Sequence, residues 1–454
     1  MARGKKKETL TPEERLQAAL IPEREQPYKV PENWCWVKFG TVCKFENGYA
    51  FKSERFTKNQ GIPVVRISNI VDNSIALDDC VYTTEIDIDS KYIIHNGDLL
   101  IAMSGATTGK NGIYDSDKIA YLNQRVGNIK VIDQTVLDPF FRNFYISSAE
   151  QQILNSAYGG AQPNISSSKI CDMSFPLPPL SEQQRIVDRI ESLFSKLDEA
   201  KQKAQDALDS FETRKAAILH KAFTGELTAQ WRKEHGIGMD SWERLKLGEI
   251  GTLERGRSQH RPRNDPRLFG GPYPFIQTGD VASANVYITE HHQTLSEFGM
   301  EQSRMFSAGT LCITIAANIG DVAILSYDCC FPDSVVGFIP NNRSISKFVY
   351  YMMSVLQKEL EDNAPATAQK NINLKILNAV EMNIPPVIEQ TEIIRMLDGL
   401  LAKEQQAKEA AAGVLEQIDL IKKAILARAF RGDLGTNDPS EESAVELLKQ
   451  ILSC

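Results

Sequence analysis

The sequence predicts an α+β protein in which two similar α+β domains alternate with two long helices. The main observation is an internal repeat, because AAILHKAFTGEL (Ala216–Leu227) returns 207 residues later as KAILARAFRGDL (Lys423–Leu434). At the same offset, PPLSEQQRIVDRIESL (Pro178–Leu193) returns as PPVIEQTEIIRMLDGL (Pro385–Leu400). One repeat therefore covers about 200 residues, and the 454-residue chain contains two of them.

The predicted secondary structure changes along each repeat. Its first part has short aliphatic runs such as IPVVRISNI (62–70), separated by Gly, Asn and Asp, which predicts strands joined by turns. Proline-rich sequence such as FPLPPL closes this part, because proline bars a helix from starting earlier. The expected segments are an N-terminal extension with a short helix at 1–32, a first domain at 33–179, a first long helix at 180–232, a second domain at 233–386, a second long helix at 387–435 and a C-terminal tail at 436–454.

A heptad pattern predicts that the two long helices pair with each other as a coiled coil. The predicted seam consists of Ile186, Ile190, Leu193, Leu197, Ala200, Ala204, Ala207 and Phe211 in the first helix and of Ile393, Leu397, Leu400, Ala407, Val414, Ile418, Ile425 and Ala429 in the second. The alternative is that each helix only covers its own domain.

Local signals predict how these helices begin and end. Ser181 and Gln184 are expected to form a capping box at the start of the first helix, which should then run without interruption to Phe223. Gly413 is expected to interrupt and weaken the second helix. Gly225 and Gly432 should end the two helices.

The composition is that of a soluble globular protein, with 42% hydrophobic and 24% charged residues. No apolar run approaches the roughly 18 residues of a membrane span, and the lysines near the N-terminus precede no apolar core of a signal peptide. Eight scattered cysteines without a C-x-x-C pair argue against a zinc site or a disulfide framework. A cytoplasmic protein is expected.

The net charge of −8 taken alone argues against nucleic-acid binding. However, seven Lys and Arg residues stand against three acids between Arg244 and Arg267. This cluster is either a solvated loop or a surface that follows DNA phosphates.

The segment SGATTGKNG (104–112) resembles a phosphate-binding loop but has only three residues between Gly105 and Gly109, and Asn111 follows Lys110. In the second repeat Gly320 matches Gly109, and Asp321 stands in the place of Lys110. A nucleotide site could not exchange its lysine for an acid. The glycines therefore predict a tight turn with positive φ between two strands.

Taken together, two copies of PPL-EQ-RIV and AF-G-L, each following a divergent globular domain, resemble the specificity subunit of a Type I restriction–modification system. The resemblance extends from Trp34 to Leu434. It implies two target-recognition domains that each recognise one half of a bipartite, asymmetric DNA site, separated by two antiparallel helices. It also implies that the chain itself is not catalytic and binds no cofactor.

The resemblance implies partners as well. Two copies of the modification subunit would carry S-adenosylmethionine and methylate adenine, and restriction (motor-nuclease) subunits would use ATP and Mg. No membrane partner is implied.

Polar residues among the turn signals are the candidate DNA contacts, because Arg pairs well with guanine and Asn or Gln with adenine. In the first domain they are Lys52, Ser53, Arg55, Arg66, Asn69, Ser104, Thr107, Thr108, Lys110, Asn123, Gln124, Arg125, Gln162 and Asn164. In the second they are Arg257, His260, Arg261, Arg263, Gln277, Asp280, Asn318, Asp333, Ser334, Gln369, Lys370 and Asn371. Each could equally be an exposed polar residue or a turn former. The loops GYAFKSERF and GRSQHRPRN share almost nothing, which predicts two different half-sites.

Two other classes of function stay open. One is a coiled-coil adaptor that binds only proteins, and the other is a stand-alone DNA-modifying enzyme. The enzyme is disfavoured because the sequence contains no G-x-G-x-x-G, Walker or H-E-x-x-H motif. The pair His291 and His292 beside Glu290 has no counterpart in the first repeat and is interpreted as surface.

The two ends of the chain carry short helical signals. Thr11 to Glu14 form a predicted capping box with proline at the first helical position. The tail AVELLKQIL (Ala444–Leu452) places Val445, Leu448 and Leu452 on one face. The N-terminal helix is expected to pack near the C-terminal one.

Overall fold

The computed structural model describes residues 11–71, 73–85, 88–158, 163–316, 319–362 and 372–452. The chain forms two compact units, which we call unit 1 (1–203 with 414–454) and unit 2 (204–413). Each unit contains one globular domain and parts of both long helices.

Unit 1 begins with a short helix and continues into a strand-rich domain. Its elements up to the first long helix are α1 (Pro12–Ala19), β1 (Cys35–Lys38), β2 (Cys43–Asn47), β3 (Phe56–Thr57), β4 (Ile62–Val65), β5 (Ile70–Val71), β6 (Asn73–Ile75), β7 (Val81–Thr83), β8 (Ile93–Ile94), β9 (Leu99–Ala102), β10 (Asn111–Ile113), β11 (Ala120–Leu122), β12 (Val126–Val131), α2 (Pro139–Ser148), α3 (Glu150–Ala157), α4 (Ser167–Cys171) and β13 (Ser174–Leu177).

These strands form two sheets and a two-stranded ribbon. The strand orders are β2-β12-β9-β10-β6-β5 and β3-β7-β4-β11-β8, and β1 pairs with β13. Successive side chains of a strand point to opposite faces of the sheet. The strand β9 is buried on both faces, because each face packs into a different hydrophobic core. Leu99 and Ile101 join the core that also contains residues of α2, α3 and the long helices. Leu100 and Ala102 join a second core with Val65.

The remaining elements repeat this order. They are α5 (Leu180–Asp209), α6 (Phe211–Phe223), α7 (Ala229–His235), β14 (Glu243–Lys246), α8 (Leu247–Ile250), β15 (Gly251–Arg255), β16 (Phe269–Phe275), α9 (Thr278–Ser283), β17 (Tyr287–Ile288), β18 (Gln293–Leu295), α10 (Glu297–Glu301), β19 (Met305–Phe306), β20 (Leu311–Thr314), β21 (Val322–Leu325), β22 (Cys329–Cys330), β23 (Val335–Pro340), α11 (Ser346–Asp362), α12 (Leu374–Asn378), β24 (Glu381–Ile384), α13 (Val387–Ala429) and α14 (Ala444–Leu452).

The sheets of unit 2 repeat those of unit 1. Their strand orders are β15-β23-β20-β21-β17 and β18-β16-β22-β19, and β14 pairs with β24. The strand β20 takes the place of β9, with Leu311 and Ile313 in one core and Cys312 in another. The predicted fold class, two repeated α+β domains with long helices, is confirmed.

The first long helix starts at the predicted residue, but its predicted capping box and its predicted continuity are wrong. The helix begins at Leu180, so Ser181 lies inside it and its hydroxyl donates to Glu441 (2.6 Å) instead of capping. The side chain of Gln184 donates to Asp188 within the helix (2.9 Å). The helix breaks at Ser210, whose hydroxyl donates back to the carbonyl of Asp206 (2.8 Å). Such a bond competes with the helical ladder and bends it.

The second long helix is continuous, which corrects the expectation for Gly413. The helix α13 runs through Gly413 over 43 residues. The middle of its predicted seam is nevertheless exposed at Ala407 and Val414, whereas Ile393, Leu397, Ile418 and Ala429 are buried. Gly225 and Gly432 follow the helix ends with φ of +79° and +77°, as predicted.

The two long helices contact each other in both units. In unit 1, Lys422 of α13 forms an ion pair with Asp198 of α5 (2.5 Å) and lies over the ring of Phe194. In unit 2, Arg214 of α6 pairs with Glu404 of α13 (2.7 Å), and Lys408 lies over the ring of Phe211. In unit 2, moving forward along the first helix therefore means moving backward along the second, so the helices are antiparallel there. The helices therefore pack against each other as well as against their domains.

The predicted N-terminal helix is present in unit 1. Thr11 and Glu14 form both hydrogen bonds of the capping box. The helix α1 packs against α14, where Leu448 is fully buried, and Arg15 donates to the carbonyl of Leu452 (3.4 Å). The expected proximity of the two short helices is confirmed.

Three further features concern the described residues as a whole. They contain no helix long and apolar enough to cross a membrane. Seven described cysteines are free thiols, and all but Cys171 are buried. In the described ranges, no group of three or more His, Cys, Asp or Glu is placed to hold a metal ion.

Replacing Gly413 by Ala should stabilise the protein. A Cβ added there meets no atom within 4 Å, and glycine in a helix interior costs roughly 1 kcal/mol relative to alanine. We expect G413A to raise the melting temperature of the purified chain in calorimetry by about 1–3 °C. As a control, G225A should lower it, because Gly225 has a φ of +79°. A lower melting temperature for G413A would contradict the account of this helix.

Candidate nucleic-acid interface

In unit 1, two parallel strands bring candidate residues to one edge of a sheet. The strands β4 and β11 pair with Val65 opposite Leu122, so the residues that follow them leave the sheet at the same end. These are Arg66 after β4 and Asn123 to Arg125 after β11. The amide of Asn123 donates to the carbonyl of Val65 (3.2 Å), which fixes the second loop beside the first.

A cleft opens next to this edge, and four of its six lining residues are sequence-predicted candidates. It has a volume of about 460 Å³ and is lined by Met103, Ser104, Gln124, Arg125, Pro163 and Asn164. Met103 holds its walls together, because its amide donates to the carbonyl of Arg125 (3.0 Å) and its carbonyl accepts from Ile165 (2.9 Å). We call it the unit 1 cleft.

Polar atoms near the unit 1 cleft lack partners. Among the described residues, the buried hydroxyls of Ser104 and Thr107 and the buried Nε of Arg66 make no hydrogen bond. Buried polar groups in folded proteins are nearly always paired, so each such atom calls for an explanation. A polar ligand entering between these loops would supply the missing partners.

The SGATTGK segment is the turn between β9 and β10. Gly105 and Gly109 have φ of +79° and +91°, and Gly320 has +83° at the equivalent turn of unit 2, so the predicted tight turn is confirmed. Lys110 is exposed. Thr108 is buried, and its hydroxyl donates to the carbonyl of Gly105 (2.7 Å), which gives it a structural role within the turn.

The loop between β2 and β3 carries the remaining first-domain candidates. Lys52 and Ser53 are exposed, and Arg55 forms an ion pair with Glu85. An aromatic contact fixes this loop, because Phe51 stacks on Tyr121 of β11 with ring centroids 5.8 Å apart. The sequence analysis missed this aromatic contact, although the three aromatic residues in GYAFKSERF were a visible signal.

Unit 2 builds an equivalent edge from different residues. The parallel strands β16 and β22 pair with Phe275 opposite Cys330, so Gln277 and the loop Phe331–Ser334 follow at the same end. A cleft of about 230 Å³ lies there, which we call the unit 2 cleft. Its lining includes the predicted Arg257, Arg263, Gln277 and Ser334, and further polar residues that the sequence analysis did not select, Ser258, Asn264, Gln302 and Ser303.

Acidic residues restrain the basic loop of unit 2. Arg263 donates two hydrogen bonds to Asp333 (both 2.9 Å). Asp265 accepts from Arg267 (2.7 Å) and lies 2.8 Å from His260, and hydrogen bonds from Arg267 hold the pKa of the Asp265 carboxyl well below its usual range. Two of the four arginines in this loop, Arg263 and Arg267, are therefore paired with carboxylates.

Other candidates of this loop are also engaged within the domain. Arg261 donates to the carbonyls of Ser258 (2.7 Å) and His260 (2.8 Å). Arg257 donates to the side chain of Gln259 (2.8 Å). These bonds fix the loop, and they hold the guanidinium of Arg257 at the unit 2 cleft.

Two equivalent candidates have a structural role. Asn69 accepts a hydrogen bond from the amide of Arg66 (2.9 Å), and Asp280 accepts one from the amide of Gln277 (2.7 Å). Asn69 is only 2% exposed. Each side chain caps the turn that follows its parallel strand, and this accounts for both residues without a DNA contact.

Five predicted residues lie outside the described part of the chain. They are Gln162, Asn318, Gln369, Lys370 and Asn371. Their predicted DNA contacts stay predictions.

Comparisons with known proteins give the same family in both halves of the chain. The family model of the Type I restriction modification DNA specificity domain matches residues 31–208 and again residues 239–412. The chain belongs to this family. The two matched segments correspond to the two sequence repeats, so the predicted role as a DNA target-recognition subunit is confirmed.

Relatives match over almost the whole chain. The specificity subunit of the Type I restriction enzyme EcoBI from Escherichia coli is 24% identical, covering 93% of this chain and 92% of the relative. The EcoKI specificity subunit from Escherichia coli K12 is 22% identical, covering 93% and 96%.

Solved structures share the fold. The crystal structure of the HsdS subunit from Thermoanaerobacter tengcongensis matches with a TM-score of 0.64 at 21% identity, covering 90% of this chain and 100% of that one. A chain from a type I R-M system structure matches with a TM-score of 0.66 at 22% identity over the same shares.

Lys110 should contribute to DNA affinity without contributing to sequence choice. A lysine that contacts a phosphate adds about one unit to the slope of log affinity against log salt concentration. We expect K110A to weaken binding of the assembled complex equally to target and unrelated DNA and to lower this slope by about one. Lys449→Ala, at the exposed face of α14, is the matched control and should change neither. Saturable ATP binding by the purified chain that K110A abolishes would support a nucleotide site instead.

Proposed function

We propose that this chain is the sequence-recognising and scaffold subunit of a Type I restriction–modification complex, in which each unit recognises one half of a bipartite, asymmetric DNA site. The observation that supports this most strongly is the pair of clefts. They lie at equivalent edges of repeated sheets and carry different polar side chains. Two domains of the same fold whose clefts are lined by different polar side chains are suited to recognise two different half-sites.

The side chains of the clefts suit recognition of base edges. In the unit 1 cleft, Arg125 can donate two hydrogen bonds to guanine, and Gln124 or Asn164 can pair with adenine. In the unit 2 cleft, Arg257 and Gln277 offer the same chemistry from other positions. Asp333 beside Arg263 adds an acceptor that could take a hydrogen bond from the amino group of cytosine.

Exposed lysines suit contact with the DNA backbone. Lys52 and Lys110 lie on loops next to the edge that carries the unit 1 cleft. Phosphate contacts set the register of a protein on DNA, whereas base contacts set specificity.

Family membership supports the partners and the division of labour. We infer that two modification subunits bind the chain, one per repeat, that they hold S-adenosylmethionine, and that they methylate an adenine in each half-site. Restriction subunits would add ATP- and Mg-dependent translocation and cleavage. The chain itself would not be catalytic, and it would work in the cytoplasm, where host DNA is found.

Arg125 provides the test of the unit 1 cleft. Losing a bidentate contact to a base costs about 1–3 kcal/mol of discrimination, which corresponds to roughly 5- to 150-fold. We expect R125A to relax one base position in one half-site and to leave the other half-site unchanged. Mapping of methylated adenines by direct sequencing of host DNA would show this. Arg24→Ala, an 84% exposed arginine of the same unit, should preserve the wild-type motif.

Two outcomes would contradict the assignment. A uniform loss of methylation with an unchanged motif would make Arg125 a phosphate contact or a structural residue. Changes in both half-sites at once would contradict the division of recognition between the units.

A further inference from the structure

A buried glutamate and a buried glutamine stand side by side near the start of each long helix. They are Glu182 and Gln183 in α5 and Glu389 and Gln390 in α13, and all four side chains are fully buried. The sequence analysis used this EQ pair only as a family motif. The structure shows that the glutamine makes the same set of contacts in both units and that the glutamate accepts from a threonine hydroxyl in both.

The glutamine ties the helix to the globular domain of its own unit. In unit 1, the side-chain amide of Gln183 donates to the carbonyls of Val136 (2.9 Å) and Pro178 (3.0 Å), and its oxygen accepts from the amide of Asp138 (2.8 Å).

In unit 2 the pattern is the same. Gln390 donates to the carbonyls of Arg343 (2.8 Å) and Pro385 (2.9 Å), and its oxygen accepts from the amide of Ile345 (3.0 Å).

The glutamate ties the same helix start to the chain that follows the end of the other long helix. Glu389 accepts from the hydroxyl of Thr228 (2.7 Å), from Arg232 (2.6 Å) and from the indole of Trp242 (3.0 Å). Glu182 accepts from the hydroxyl of Thr436 (2.7 Å).

The two units differ in the arginine that neutralises this carboxylate. Arg232 is itself 8% exposed in its side chain, whereas Arg185, which bonds Glu182 at 2.8 Å, is 37% exposed and also binds Glu441. Removing one partner of a buried pair leaves an uncompensated charge, which is strongly destabilising. Replacing a glutamine of the anchor, by contrast, leaves no uncompensated charge, so Gln183 offers a test that keeps the ion pair intact.

One strand connects this anchor to each cleft. Arg125 lines the unit 1 cleft, β12 begins at Val126, and the loop after β12 provides Val136 and Asp138 to Gln183. In unit 2, Ser334 lines the cleft, β23 begins at Val335, and the loop after it provides Arg343 and Ile345 to Gln390. A strand of six residues spans about 20 Å, so cleft and helix are joined by one short, stiff element.

Adjacent residues on a helix point about 100° apart, so the pair holds the helix start from two directions. We propose that the Glu–Gln pairs are positioning residues that fix the orientation of each cleft on the long helices and thereby fix the number of unspecified base pairs between the half-sites. This inference rests on the proposed function. Neither side chain contacts DNA in this role. Both act through the strand that begins next to the cleft, β12 in unit 1 and β23 in unit 2.

The variant Gln183→Met tests this directly. Methionine has a similar size and shape but makes none of the three hydrogen bonds. The first turn of α5 should therefore vary in its orientation relative to the domain. We expect the purified complex with Q183M to methylate the same two half-sites at gap lengths one base pair shorter and longer, with rates at least roughly tenfold above those of the wild-type complex at these sites. Incubation with a DNA library that varies only the gap gives these rates.

Gln184→Met is the matched control. Gln184 is the next residue, is exposed, and bonds only Asp188 on its own helix. Q184M should keep the single gap length of the wild type. If Q183M does not assemble, Thr436→Val removes the hydroxyl that donates to Glu182, and it should broaden the accepted gap in the same way.

The outcomes separate this inference from the proposed function. The inference would be overturned if a folded complex with Q183M still methylated only sites with the wild-type gap length. If Q183M does not assemble, the same result with T436V would overturn it. Loss of one half-site would also overturn it, because it would show damage to the cleft itself. A wild-type complex without any bipartite target would contradict the proposed function instead.

Discussion

One strand in each unit, buried on both faces, holds the rest of the structure in place. The sequences LLIA in β9 and LCIT in β20 place alternate side chains in two separate cores. The residue after each strand then fixes a cleft. Met103 and Ile315 both donate to the loop that follows the parallel strand pair, at Arg125 and Ser334, and both accept from a later segment, at Ile165 and Ile372. A polar substitution in either strand would therefore disturb both cores and the cleft together.

The repeat and the long helices could be predicted because they depend on spacing. The offset of 207 residues and the heptad pattern can be seen in the sequence, and they predicted the fold class correctly. A capping box and an apolar face predicted the two short terminal helices. The helix details could not be predicted in this way. Gly413 was judged by intrinsic propensity, yet α13 runs through it over 43 residues, and the interruption at Ser210 lies in a stretch that contains no Gly or Pro.

The candidate site was predicted as a set but not residue by residue. Gln124, Arg125, Arg257 and Gln277 do line the two clefts. The divergent loop GRSQHRPRN contributes to the lining of the unit 2 cleft, whereas GYAFKSERF contributes nothing to that of the unit 1 cleft. The capping roles of Asn69 and Asp280 could not be predicted, because the sequence does not show whether a polar residue four or five positions after a strand end caps a turn or faces solvent. The EQ pair was visible as a repeat, but its function depends on backbone partners that are far away in sequence.

Local pairing explains how an acidic chain can be a DNA-recognition subunit. In the basic loop of unit 2, Asp333 pairs with Arg263 and Asp265 pairs with Arg267, so half of its arginines are held by carboxylates and only part of its charge is neutralised. Exposed ion pairs of this kind contribute little to stability, but they preorganise the guanidinium groups at the cleft. The net charge of −8 is a sum over the whole chain and does not describe the surface near the clefts.

Mapping the methylated adenines in cells that express the wild-type chain with its modification subunit tests the central claim most directly. Two clefts with different polar walls predict one bipartite motif, with two unequal half-sites and a fixed gap between them. A continuous motif, or two identical half-sites in inverted orientation, would contradict the claim that the two units recognise different sequences.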